Sequence, residues 1–194
     1  SFENARFVKN APLFAETTLH EATTWHNVQW PITPTVLKDA LRMADAYAHL
    51  RRRANSIQNH EAELDFFARE MRAKRRSEGI GKWLLVTLFE ISSNFGRSVS
   101  LPLLWMIGLS IYMVPIYDKL IRYAGREPAS DMDLLGLSAA SLGGFFGIRR
   151  EFISPELLDS LPYFAVILSN LQSVAGAILV FLIGLALRNR FRIK

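Results

Sequence analysis

The chain has 194 residues, half of them hydrophobic and 21% charged, with 23 Lys and Arg against 18 Asp and Glu for a formal charge of +5. It has no cysteine, which excludes a disulfide framework, thiolate metal sites and a cysteine nucleophile. So much apolar content beside so much charge requires apolar and charged blocks to segregate, so where the charge lies says more than its sum.

The chain opens in mid-pattern at Ser1-Phe2-Glu3-Asn4, with no initiator Met and no signal-peptide pattern, and it reads as a piece of a longer protein. Residues 1–33 carry a five-residue beat: Phe2 and Phe7, Phe14 and Leu19, Trp25 and Trp30. Small residues stand two before several of these centres, as Ala5 before Phe7 and Thr23 before Trp25. One large apolar residue per face with a small inward neighbour is what a quadrilateral β-solenoid requires. The phase slips between pairs suit the aberrant last turns that cap a solenoid.

Residues 34–78 predict a cytoplasmic helical hairpin. Val36, Ala40, Met43, Tyr47, Leu50, Ala54 and Ile57 alternate spacings of four and three, one apolar seam on a helix, with Thr35 as its expected N-cap. Asn59 is the expected cap of a second helix carrying Ala62, Phe66, Ala68 and Met71. Glu61 and Glu63 at its start and Lys74, Arg75 and Arg76 at its end complement the helix dipole. Two roles stay open for the hairpin: an assembly or partner-binding module, or a spacer. Residues 79–97 predict an interfacial helix, with Trp83, Leu84, Leu85, Leu88, Phe89 and Ile91 on a short segment ending at Arg97.

The membrane domain is expected at 98–194. Residues 98–117 and 160–187 are uncharged runs of about 30 and 42 Å as helices, against a hydrocarbon core of about 30 Å. Pro115 is expected to bend or stop the first. Tyr112, Tyr117 and Tyr163 are candidate anchors at the outer interface. In the second, Asn170, Gln172, Ser173, Gly176 and Gly184 are candidates for pore lining or helix packing. The two amides face protein or water, or are wet near the outer interface; both readings stand.

Charge sets the topology. Residues 1–97 hold 14 Lys and Arg, the tail 188–194 holds four with no acid, and residues 118–159 hold five against seven acids. The positive-inside rule puts both termini in the cytoplasm and the middle segment outside. Arg97, Arg188, Arg190, Arg192 and Lys194 are expected on anionic lipid headgroups.

That middle segment contains LLGLSAASLGGFFGI, residues 134–148, uncharged and short for a span. A helix over 134–142 broken by Gly143-Gly144 predicts a re-entrant half-helix and a returning loop, in which Ser138, Ser141, Gly143, Gly144, Phe145, Phe146 and Gly147 are the pore-loop residues. The potassium filter sequence is missing, and Phe145 and Phe146 stand where they can plug or gate a pore. Arg149 and Arg150 come before Glu151, so no ion selectivity follows.

No chemistry of catalysis is present. The pairs His20-Glu21 and His60-Glu61 lack the second histidine of a zinc-protease helix, and no phosphate loop or nucleophile elbow occurs. Asp131 and Asp133 alone make a weak pair, and Arg51-Arg52-Arg53 reads as a solvated helix face or a headgroup contact rather than a nucleic-acid contact. The expectation is a non-enzyme without metal or cofactor.

Two segments carry a family resemblance: NHEAELDFFARE, residues 59–70, and IGLALRNRFRIK, residues 183–194, with Phe95-Gly96-Arg97-Ser98 between them. With them, the order of segments resembles bacterial pentapeptide-repeat membrane proteins over nearly the whole chain. The resemblance implies a bacterial inner-membrane protein with a cytoplasmic solenoid, and carries no activity with it. The layout of span, pore-like loop and span gives the functional expectation: a homo-oligomeric, tetrameric, ion-channel-like pore. The alternative is a non-conducting anchor or scaffold tethering the solenoid to the membrane or to other subunits of a larger complex. A sensor acting through a soluble partner is a third reading.

Overall fold

The computed structural model describes residues 1–8, 10–14, 20, 23–31, 36–75, 77–126, 130–144, 147, 153 and 161–191. These are mainly helical: α1 (Leu37–Ser56), α2 (His60–Lys74), α3 (Ile80–Ser93), α4 (Ser100–Tyr123), α5 (Asp131–Leu142) and α6 (Tyr163–Arg190). The chain forms two compact units, one containing Ser1–Arg97 and the other Ser98–Arg190.

In the first unit α1 and α2 pair as a hairpin. Ala40, Met43, Tyr47, Leu50 and Ala54 of the expected seam are buried, and four of them, Met43, Tyr47, Leu50 and Ala54, share a core with Phe66 of α2. The seam ends sooner than the spacing predicts: Val36 and Ile57 are the cap positions of α1, and Val36 is largely exposed. Thr35 lies outside the described residues. Asn59 caps α2, its side-chain oxygen accepting from the Ala62 N–H at 3.1 Å. One buried residue is an acid: Glu70 accepts from Arg51 Nε at 2.7 Å and Lys74 Nζ at 2.5 Å. Those two cations make its burial tolerable.

The aromatic beat at the N-terminus becomes two stacks. Residues 1–7 and 24–29 run side by side, joined by Phe2 N–H to Thr24 O, Asn4 N–H to His26 O, Phe7 N–H to Gln29 O and Gln29 N–H to Ala5 O. The bridge between Arg6 and Gln29 is parallel. Phe2 stacks on Trp25 with centroids 4.7 Å apart, and Phe7 on Trp30 at 5.3 Å. Asn4 and Asn27, 23 positions apart, both take left-handed backbone and bond side chain to side chain at 2.8 Å. Asparagine tolerates that conformation better than most residues. Phe66 meets both tryptophans edge-on, which fixes the stacks to the hairpin. A solenoid is not shown: the parallel bridge is isolated, and no strand occurs among the described residues.

The third helix is tied to the second by charge. Glu90 of α3 accepts from Arg72 Nε and from an Arg75 guanidinium nitrogen, both at 2.6 Å, and Arg72 also reaches Asn94 at 3.0 Å. Its apolar side is uncovered, with Ile80, Trp83, Leu84, Leu85, Leu88 and Ile91 exposed. The helix ends in three consecutive left-handed residues, Asn94, Phe95 and Gly96. Such backbone is strained for a phenylalanine. Phe95 is held there by burial, by edge contacts with Phe67 and Phe89, and by the Arg72 guanidinium over its ring at 5.3 Å.

In the second unit α4, α5 and α6 each touch the other two. α4 and α6 are long and apolar enough to cross a membrane. Only 11% and 28% of their most apolar stretches are buried, unlike the core helix of a soluble protein. Pro115 does not stop α4, which continues through it to Tyr123 and carries an Asp118–Arg122 ion pair in its last turns. α5 starts earlier than its apolar run: Ser130 caps it, accepting from the Asp133 N–H at 3.2 Å and donating to the Asp133 carboxylate at 2.7 Å.

Burial pushes the Tyr47 phenol above its ordinary value of about 10, with the Arg69 charge opposing that shift and Asp65 adding to it. The sign follows directly. Above about pH 10 the unfolded chain ionises this tyrosine while the folded one does not, so stability falls as pH rises until the folded value is passed. Tyr47→Phe should remove this contribution. Melting curves of the full chain from pH 8 to 11 should fall less steeply for the variant; identical slopes would show that Tyr47 is not the group responsible.

Candidate functional site: a polar junction of three helices

Serine, tyrosine and glutamine meet inside the second unit. Gln172 of α6 is buried, as are Tyr117 of α4 and Ser138 of α5. The Gln172 Oε1 accepts from the Tyr117 hydroxyl at 2.8 Å. Its Nε2 donates to the Ser138 carbonyl at 3.0 Å and to the Ser138 Oγ at 2.8 Å. One amide thus joins three helices. In an apolar surround each of these bonds matters more than in water, since the alternative is an unpaired polar group. Ser141, one turn on, turns its hydroxyl back to the Leu137 carbonyl at 2.6 Å. Ser169 is also buried, and its hydroxyl has no partner among the described residues.

The same contacts fix directions. Tyr117 meets Gln172, while Ile121, four residues later, clusters with Ala165 and Leu161, so α4 and α6 are antiparallel. Ser138 meets Gln172, and Leu142, four residues later, meets Gly176, so α5 and α6 are parallel. Leu134 near the start of α5 joins the cluster of Ile121, Leu161 and Ala165. α5 therefore begins where α4 ends and α6 begins. It ends beside Gly176, halfway along the 28 residues of α6. Gly176 itself lies about 20 Å along α6 from the start of that helix at Tyr163.

The close approach at Gly176 is steric. A Cβ there would overlap the Leu142 carbonyl oxygen, whereas Gly184 has open space around it. Gly144 comes close to Ser173, whose Oγ lies 2.9 Å from where a Cβ would be.

The expected site residues separate accordingly. Ser138, Ser141, Gln172 and Gly176 are brought together, and Gly143 ends α5 as its C-cap. Asn170 and Gly184 face outward, so the two amides of α6 have different surroundings. Gly147 has left-handed backbone with φ of 76°. Phe145 and Phe146 lie outside the described residues, as do Arg192 and Lys194. Arg188 and Arg190 are exposed, whereas Arg97 donates to Asp65 at 2.9 Å. Tyr117 is the correction to the sequence reading. It is wholly buried and bonded inward, unlike Tyr112 and Tyr163, which are exposed. Sequence offered one cue, Tyr117 and Gln172 both lying within uncharged runs, but not that they meet. Among the described residues no cluster of His, Asp and Glu is placed to hold a metal ion.

Set against known protein families, curated proteins and solved structures, the chain matches none.

The glycine contact gives a paired prediction. Gly176→Ala should cost about 1–3 kcal/mol by forcing α5 off α6, while Gly184→Ala should be neutral within about 0.5 kcal/mol. Thermal unfolding in detergent measures both. Equal effects at the two sites would remove Gly176 as the point where α5 is seated.

Proposed function

We propose that this protein is an ion-channel-like integral membrane protein, in which α4 and α6 span the bilayer and residues 134–148 form a re-entrant loop. The observation that carries the reading is the course of α5. It starts at the shared end of α4 and α6, runs parallel to α6 and finishes at its midpoint. A helix that goes half the depth, followed by a chain that must come back, is the pattern of a pore loop. Irregular backbone at that depth is tolerated where protein covers it or it lines water. The Gln172 junction would hold the half-helix in place.

The rest of the proposal follows the charge. Both termini lie in the cytoplasm, the setting is a bacterial inner membrane, and the basic tail rests on anionic headgroups. Copies of the chain, four by analogy with pores of this plan, assemble around the loops. The hairpin and the stacked N-terminal passes, read as the end of a pentapeptide-repeat solenoid, form a cytoplasmic assembly or gating module. The exposed apolar side of α3 suits the membrane surface.

One observation favours the second reading, a non-conducting anchor or scaffold. Ser138, Ser141 and Gln172 satisfy one another or their own helix inside a single chain, so these polar groups are not free to line a pore.

Two measurements separate the readings. Purified protein in planar bilayers should conduct under the first; silence at all voltages with a monomeric mass in detergent would sink it. The chain has no cysteine, so single-cysteine variants are clean reporters. Cysteine at Gly144 should react with charged thiol reagents only while the pore is open, and reaction at the rate of any exposed loop supports the anchor.

A further inference from the structure

The first unit contains a cavity of about 290 Å³ that no part of the membrane reading uses. Three segments wall it: residues 23–30 of the second N-terminal pass, the first turns of α2, and Arg97 beyond α3. Trp25, Trp30 and Phe66 give it an apolar side, with Phe66 edge-on to both tryptophans. Glu61, Asp65 and Arg97 give it charge. The size is at the low end of small-molecule sites, and an apolar wall with a few charged groups is their usual composition.

The charges are unevenly matched. The Asp65 carboxylate is shared between two guanidiniums, Arg69 at 2.8 Å and Arg97 at 2.9 Å. One negative charge against two positive ones leaves a surplus positive charge, and Arg97 keeps N–H donors beyond the one given to Asp65. Glu61 has no ionic partner among the described residues, which leaves a surplus negative charge on the same cavity. A ligand with one charge would match only one of these. A ligand with both would match each, and an apolar side chain branching from the carbon that carries them would lie on the tryptophans.

We propose that this cavity binds a small zwitterion of the α-amino acid class, with Glu61 taking its ammonium, Arg97 its carboxylate, and Trp25, Trp30 and Phe66 its side chain. The Asp65 pair holds Arg97 in position before the ligand arrives, which lowers the ordering cost of binding. The site is independent of whether the second unit conducts.

The test uses the full chain in detergent, with tryptophan emission as readout and L-leucine and L-phenylalanine as probes. n-Butylamine and butyrate serve as single-charge controls. At least one amino acid should give a saturable change with a Kd below about 1 mM, the range for a modest ligand, and at least tenfold below either control. Glu61→Gln should weaken it about tenfold without moving the melting temperature, and Glu63→Gln, on the same turn, should not. Saturation by neither amino acid up to about 10 mM overturns the proposal. So does butylamine or butyrate binding as tightly as the amino acid, or an unchanged affinity in Glu61→Gln. Bilayer currents do not enter the measurement, so its failure and that of the channel reading are separate.

Discussion

A buried carboxamide brings an acceptor and two donors into an apolar place, and the fold around it must supply partners for both. Gln172 finds its donor on α4 and its acceptors on α5. That requirement fixes more than one contact. It sets the rotation of α4 that turns Tyr117 inward and the depth at which α5 lies against α6. Apolar contact alone is poor at fixing depth, because one leucine row fits another at several heights. The amide removes that freedom, and Gly176, one turn further on, lets the end of α5 settle against α6.

The first unit solves a different problem by similar means. Its aromatic residues are numerous and its chain passes short, so packing has to be cooperative. Phe66 connects both ring stacks to the Tyr47 and Leu50 core, and the hairpin and the N-terminal passes become one body. Around that body the ions are arranged in threes: Glu70 between Arg51 and Lys74, Glu90 between Arg72 and Arg75, Asp65 between Arg69 and Arg97. Single exposed pairs contribute little; networks that share a half-buried carboxylate define geometry better.

The hairpin was legible in the sequence because a three-four spacing states which face is buried, and Asn59 states where the second helix starts. The two long apolar helices were legible from length and lack of charge. Their ends were not. α4 runs through Pro115 into charged residues, and α5 begins at a serine cap outside its apolar run. The burial of Glu70 depends on an arginine 19 positions earlier, and the inward turn of Tyr117 on a glutamine 55 positions later. Neither pairing leaves a periodic trace. The five-residue beat was read as the end of a solenoid, whereas the described residues show two ring stacks between adjacent passes and no sheet. At the polar junction, sequence named Ser138, Ser141, Gln172 and Gly176 as candidates without grouping them. It put Tyr117 elsewhere because an aromatic near a span end has two good places to be.

Phe95 gives the first unit an unusual terminus. Three left-handed residues in succession make a tight corner, and the ring at its centre is gripped by α2 and α3 together. With Glu90 clamped to α2 as well, the joint has little compliance. Peeling α3 from the hairpin would have to break both Glu90 ion pairs and unseat the Phe95 ring together, so this edge of the first unit should open in one cooperative step rather than fray residue by residue.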